Sequence, residues 1–204
     1  MALPERLAIA SANPHKLREI LRICADWPVE WITSQDHEGP WPEVEEPHDT
    51  YRENALEKAR AVATLGIPAV ADDSGIEVDA LGGAPGPRSA RYAGEDADDE
   101  ENLETLLRAV TKVPANERTA RYRCVAAIAW PDGREVWSEG VCEGTIDLHP
   151  RGSRGFGYDP AFVPEGRERT MAELTDEEKD RISHRGRAFR ALRERLTGPQ
   201  AAKR

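Results

Sequence analysis

Two long β-rich runs, Thr119–Trp130 and Arg134–Ile146, flank the tripeptide Pro131-Asp132-Gly133. Alternating apolar residues on either side of a Pro-Asp-Gly turn predict a long β-hairpin at the centre of the fold. The rest of the chain has to pack around it. Arg6–Ser11 is short, apolar and ended by a turn-rich SANPH, so it reads as a buried first strand. Asn13 then caps a helix that starts at Pro14, with Leu17, Ile20, Leu21 and Cys24 at helical spacing. Val29–Thr33 alternates as a strand. Asp49 or Thr50 caps a second helix, whose Ala55, Ala59, Val62 and Ala63 form a slim face suited to close packing on a sheet. Pro68–Ala71 is another apolar strand, ending in Asp72 and Asp73, and Ile76–Leu81 alternates again before the turn-rich GGAPGP. Asp98–Val110 predicts a third helix with acids at its positive end. Thr170–Leu196 predicts helix interrupted near Ile182–Ser183. The expected fold class is mixed α/β, a β-rich sheet flanked by helices, in two lobes with a cleft between them.

Composition narrows the function classes. Of the 204 residues, 39% are hydrophobic and 32% charged, a globular balance in which no apolar run approaches the ~20 residues of a membrane span. The N-terminal MALPERLAIASANPHK lacks the basic-then-apolar layout of a secretory leader. Three widely spaced cysteines, Cys24, Cys124 and Cys142, form no CxxC pair, which argues against a disulfide framework or a structural zinc site and suits the cytoplasm. The net charge of -10, from 28 Lys+Arg against 38 Asp+Glu, argues against clamping a nucleic-acid backbone. That charge is uneven. Asp36–Glu57 holds Arg52 as its one basic residue among eight acids, while 11 of the 28 Lys+Arg lie from Arg167 onward. An acidic and a basic region in one small fold suit a ligand that is itself anionic and metal-bound.

Five stretches carry chemistry. Ser11-Ala12-Asn13-Pro14-His15-Lys16 is a strand-to-helix turn whose N–H groups, with the Lys16 ammonium, could cradle an anion; an ordinary capped helix has the same look. Asp72-Asp73-Ser74-Gly75 sets two carboxylates side by side. Neighbours of like charge need a cation, Mg²⁺ being the natural oxygen-loving one, unless the segment is a plain Asx turn. Glu43, Glu45 and Glu46 offer carboxylates in a loop that is otherwise just solvated charge. Gly155-Phe156-Gly157-Tyr158-Asp159-Pro160 flanks an aromatic with glycines, which suits a ring laid on a flat ligand, with Asp159 open to donors on a base edge. Lys179, His184 and Arg185 gather cations at the start of the last helix behind Ser183. The helix dipole disfavours them there unless an anion binds.

Taken in order, SANPHKLREI, EVEEPHDTYRENALEKA, ADDSGIEVDALGGAPGPRSARYAG, GFGYDPAFVP and ELTDEEKDRISHRGRAF resemble one family, the inosine triphosphate pyrophosphatases, or Ham1-like non-canonical purine nucleoside triphosphate pyrophosphatases. The resemblance runs from about Arg6 to Leu196, making the chain a single two-lobed domain with a short polar tail at 197–204. It implies a long central sheet, a deep substrate cleft, a homodimer, and Mg²⁺-dependent hydrolysis of ITP, dITP and XTP to monophosphate and pyrophosphate. Carried over by motif, Ser11–Lys16 hold the phosphate end, Asp73 is the proton acceptor and a metal ligand, and Ser74 touches substrate. Phe156, Gly157, Tyr158 and Asp159 face the base, and Lys179, His184 and Arg185 make the remaining contacts. Counting back from Thr50-Tyr51, Glu46 falls on the second metal-ligand position, with Glu43 and Glu45 as substitutes. Two departures stand out: the acidic loop continues Glu46-Pro47-His48 where Glu-Thr-Gly is common, and Ser-Ala-Asn replaces Thr-Gly-Asn, so Ala12 needs a backbone that accepts a Cβ.

The implied chemistry is attack of water on the α-phosphorus, with Lys16, Lys179 and Arg185 stabilising the developing charge. Donors such as His184, Arg185 or backbone N–H groups would select a 6-keto purine over adenine. Two rivals are a nucleotide-binding sensor without turnover, which would have no use for the carboxylates, and a pyrophosphatase acting on other nucleoside triphosphates.

Overall fold

The computed structural model describes residues 2–44 and 46–198; Glu45 and most of the polar tail lie outside them. The chain is mixed α/β. Its strands are β1 (Arg6–Ile9), β2 (Glu30–Ile32), β3 (Ala69–Val78), β4 (Thr119–Ala129), β5 (Glu135–Ile146) and β6 (Phe162–Pro164). Its helices are α1 (Pro14–Ile23), α2 (Tyr51–Ala63), α3 (Asp99–Val110), α4 (Asp176–Ile182) and α5 (His184–Thr197). The strands form one mixed sheet in the order β2-β1-β3-β4-β5-β6. β1 runs parallel to both β2 and β3, whereas β5 and β6 are antiparallel. None of the helices among the described residues is long and apolar enough to cross a membrane.

The local chemistry explains most boundaries. Asn13 accepts from the N–H groups of His15 and Lys16 and Pro14 occupies the first helical turn, which fixes the start of α1. Thr50 caps α2, and Asp98 with Glu101 closes a reciprocal capping box on α3. Between β4 and β5, Gly133 (φ 84°) donates to the Trp130 carbonyl at 3.0 Å, and the Trp130 N–H donates to the Arg134 carbonyl at 2.9 Å. Only glycine adopts that backbone without strain. Sequence reasoning also misplaced some boundaries. The segments 68–71 and 76–81 are one ten-residue strand, so Asp72 and Asp73 sit inside β3 rather than at a strand end or in an Asx turn. The short β6 was not anticipated.

Contacts divide the chain into two compact units. The first comprises the chain up to Asp73, Val125–Gly140 and the chain from Arg185; the second comprises Ser74–Cys124 and Val141–His184. In the first, the small face of α2 (Ala59, Val62, Ala63) packs on Ala8, Ala10, Ala69, Ala71 and Ala129. Alanines on both sides let helix and sheet approach closely. In the second, larger side chains fill the core: Ile76, Leu106, Tyr122, Ile146, Phe162, Met171 and Leu174. The rings of Tyr122 and Phe162 meet at 4.7 Å and 58°. Phe162 is fully buried and closes that core from the edge strand. Phe162→Ala is therefore expected to lower unfolding free energy by ~3–5 kcal/mol, read as a shift in the urea midpoint; a loss under about 1 kcal/mol would mean the second core does not depend on it.

Candidate active site

β3 is buried continuously from Ala69 to Asp73, as a strand covered on both faces requires. Inside it, Asp72 and Asp73 are each only 2% exposed. Successive side chains of a strand point to opposite faces, and the two carboxylates accordingly have different partners.

Asp72 faces Arg185, the second residue of α5. The guanidinium Nε and Nη2 donate to Asp72 Oδ2 at 3.1 and 2.9 Å, and Nη1 donates to Glu19 of α1. Lys16 adds its ammonium 3.7 Å from Asp72. Burial by itself would push the Asp72 carboxyl up, but Arg185, Lys16 and Lys58 outweigh it and hold the group well below the usual carboxylate range. Arg185, 1% exposed, thus meets its anion within the protein. Asp72 and Glu19 reconcile a cation with the start of a helix, where the dipole would disfavour it.

Asp73 faces α2. Asn54 donates to Oδ2 at 3.1 Å, and Lys58 donates to Oδ1 at 3.2 Å. The same Lys58 ammonium reaches Glu46 at 2.6 Å, so the acidic loop and the strand carboxylate converge on one cation. Asn54 also holds the loop, donating to the His48 carbonyl at 3.1 Å and accepting from the His48 N–H at 3.0 Å. Here the balance differs from Asp72. Burial raises the Asp73 carboxyl and Glu46 adds to it, while Lys58, Lys16 and Asn54 offset only part, leaving Asp73 above the ordinary aspartate value. Burial would strip the proton from Lys58, but Asp73, Glu46 and Asp72 raise it instead. Asn54 and Lys58 are four residues apart and so share one helical face; sequence reasoning missed both, although that spacing in ENALEK was the available signal. Glu43 is exposed, whereas Glu46 is drawn in by Lys58.

The donor set fits a hard divalent cation. Among the described residues no three His, Cys, Asp or Glu side chains gather as a ligand cage. Mg²⁺ rarely needs one, since it binds through one or two carboxylates and fills its octahedron with waters and substrate phosphates. Glu46 and Asp73, already converging on the Lys58 ammonium, could serve as such a pair.

At the turn before α1, most backbone N–H groups are already used: Asn13 donates to Ser11 Oγ at 3.3 Å, and His15 and Lys16 donate to Asn13 Oδ1. Leu17 donates to the Asn13 carbonyl. What this turn offers an anion is therefore mainly the Lys16 charge, with exposed His15 linked to Arg18. No described residue other than glycine has a positive φ, so Ala12 sits in ordinary backbone.

The second unit holds the remaining candidates. Asp159 is buried and receives Lys179 Nζ at 2.5 Å, the Tyr122 hydroxyl at 3.2 Å and the Phe156 N–H at 3.0 Å. Its carboxylate shapes the loop rather than lying open to a base edge. Lys179 Nζ lies 5.2 Å from the centre of the half-buried Phe156 ring. A Cβ on Gly155 would fall 2.0 Å from Asp159 Oδ2, which explains the glycine there. Tyr158 is buried and donates to the Ser89 carbonyl at 2.7 Å, and Gly157 donates to Asp99. His184 stacks on Tyr122 at 4.5 Å and 10°. Ser74 follows Asp73 in β3 and is half-buried. Tyr122, on β4, was not anticipated from sequence.

Residues 7–195 match the model of the Ham1 family. The chain is 49% identical to a dITP/XTP pyrophosphatase of Streptomyces coelicolor, covering 92% of this chain and 94% of that protein. It is similar to the solved structure of a HAM1 protein from Coxiella burnetii at TM-score 0.84 and 39% identity, covering 98% and 100% of the two chains. A Mycobacterium abscessus structure described as a nucleoside-triphosphatase and dITP/XTP pyrophosphatase aligns at TM-score 0.74 and 45% identity over 92% and 98%.

Removing the cation from the Asp72 cluster tests its geometry. Arg185→Met removes the guanidinium shared by two buried carboxylates, leaving Lys16 as the near cation of Asp72, and is expected to cost ~3–5 kcal/mol of stability in urea unfolding. Arg185→Lys should recover only part, because an ammonium cannot engage both carboxylates as the planar fork does.

Proposed function

The chain belongs to the Ham1 family, and from that premise we propose that it hydrolyses the non-canonical purine nucleoside triphosphates dITP, XTP and ITP to monophosphate and pyrophosphate, clearing them from the nucleotide pool. The observation that carries this reading is the buried Asp73 carboxylate, held by Asn54 and Lys58 beside Glu46. A sensor without turnover has no use for such an arrangement. A hydrolase does.

Asp73 accepts the proton of the attacking water. A carboxyl raised by burial is a better base than an exposed aspartate. Lys58 and Lys16 offset the negative charge of the triphosphate. Glu46 and Asp73 would hold Mg²⁺, which when bound supplies charge neutralisation and polarises the phosphate oxygens. In the second unit, the Phe156 ring stacks on the purine face, an interaction worth ~1–3 kcal/mol. Lys179, held against that ring by Asp159, adds positive charge beside it. Three guanidinium hydrogen bonds to Asp72 and Glu19 fix the plane of Arg185. With Arg185 committed inside the protein, donation toward the 6-keto oxygen, a partner adenine lacks, falls to His184 or backbone N–H groups. Ser11–Lys16 and Ser74 line the phosphate side. A homodimer working on the cytoplasmic nucleotide pool completes the reading, in line with the family resemblance.

The test is product identity over a nucleotide panel. One pyrophosphate per dITP, XTP or ITP is expected, with ATP slower by about two orders of magnitude or more. Release of three separate phosphates, or a preference for pyrimidines, would overturn the reading, and tight binding without turnover would favour the sensor. Glu46→Gln should raise the Mg²⁺ concentration needed for half-maximal rate more than Glu43→Gln does, because Glu46 shares an ammonium with Asp73 whereas Glu43 is exposed.

A further inference from the structure

The GGAPGPRSARYAG stretch and the first turn of α3 take no direct part in the chemistry above, yet they converge on the base-side loop. Ser89 ties the stretch down: its hydroxyl accepts from the Ile76 N–H at 2.8 Å and donates to the Gly86 carbonyl at 2.7 Å. Its carbonyl receives the Tyr158 hydroxyl. Asn102, 2% exposed on α3, accepts from the Ala93 N–H at 2.8 Å and donates to the Ala90 carbonyl at 3.1 Å. The helix start is thus locked to the stretch, and the Asp98–Glu101 capping box fixes the turn between them. From this platform Asp99 accepts from the Gly157 N–H at 2.9 Å. The loop bearing Phe156 is consequently held by two carboxylates on successive N–H groups: Asp159 on Phe156 from within the loop, and Asp99 on Gly157 from α3. Gly157 stands at φ 60°, a conformation that glycine adopts without strain.

We propose that Asp99 is a positioning residue that presents the Phe156 ring to the purine by holding the Gly157 N–H, so that it sets KM without entering the chemical step. This rests on the reading of Phe156 as the base-side residue. A loop held in one conformation does not pay to be ordered when the nucleotide binds, whereas a released loop does.

The experiment combines steady-state kinetics on dITP and XTP with amide hydrogen exchange at Gly157 in four variants. Asp99→Ala should raise KM for both substrates about fivefold, the scale of one ordinary hydrogen bond, with kcat changed by less than about twofold. Gly157 exchange should quicken. Asp99→Asn, whose carboxamide oxygen still accepts, should return most of the KM. Glu100→Ala removes the same charge from the first turn of α3 without reaching the loop, and should leave KM and Gly157 exchange at wild-type values. Equal effects of Asp99→Ala and Glu100→Ala would reduce Asp99 to a helix-end charge and overturn the proposal. So would an unchanged KM in Asp99→Ala while Phe156→Ala raises it. If Phe156→Ala itself leaves KM unchanged, the base-side reading falls, and the proposal falls with it.

Discussion

Burying Asp72 and Asp73 side by side inside one strand removes two like charges from water together, at a penalty of several kcal/mol per ion even after relaxation. Much of the first unit can be read as the response. The strand's own alternation separates the two carboxylates, and each then recruits cations from the elements covering its face. Asp72 receives Arg185 from α5 and Lys16 from α1, with Glu19 completing the cluster. Asp73 receives Lys58 and Asn54 from α2, and through Lys58 the acidic loop. The compensation is unequal. Asp72 is held firmly ionised by a guanidinium, whereas Asp73 keeps a raised carboxyl. One acid is locked into a charge cluster, while its neighbour keeps the environment suited to the proton acceptor proposed above, a division set by environment rather than residue type.

What sequence disclosed and what it withheld follow from range. Caps and turns are local, so Asn13, Thr50, Asp98 and Gly133 were legible at once, and the small face of α2 announced close packing before the sheet was known. The adjacent carboxylates and the cations near Arg185 were also visible as anomalies needing a counter-charge. Their mutual pairing was not, because Asp72 and Arg185 are 113 residues apart and meet only through the packing of α5. A bound anion was the natural guess for a partner of Arg185 that the protein supplies itself. Lys58 and Asn54 escaped because a polar pair beside an apolar helix face looks like ordinary solvated surface until the facing strand is identified. The ten-residue β3 was read as two strands because Asp-Asp-Ser-Gly has turn composition, and only compensated burial makes it a strand.

The second unit shows the same economy in a loop. Asp159 gathers Lys179, Tyr122 and the Phe156 N–H, and Gly155 is small because that carboxylate occupies the space a side chain would need. The GFGYDP signature is therefore less a set of ligands than a folded support that leaves one ring half-exposed. Family membership supplies the reaction class; the arrangement around Asp73 supplies a physical reason for hydrolysis rather than mere binding.

The most direct test of this division of labour compares Asp72→Asn with Asp73→Asn, measuring urea stability and dITP turnover on both. Asp73→Asn should keep the fold, since Lys58 retains Glu46, and should lower kcat by about a hundredfold or more. Asp72→Asn should instead lose about 3 kcal/mol or more of stability by breaking the buried pair with Arg185, while what remains folded turns over far faster than the Asp73 variant. The reverse pattern, a stable but inactive Asp72→Asn beside an active Asp73→Asn, would contradict the account.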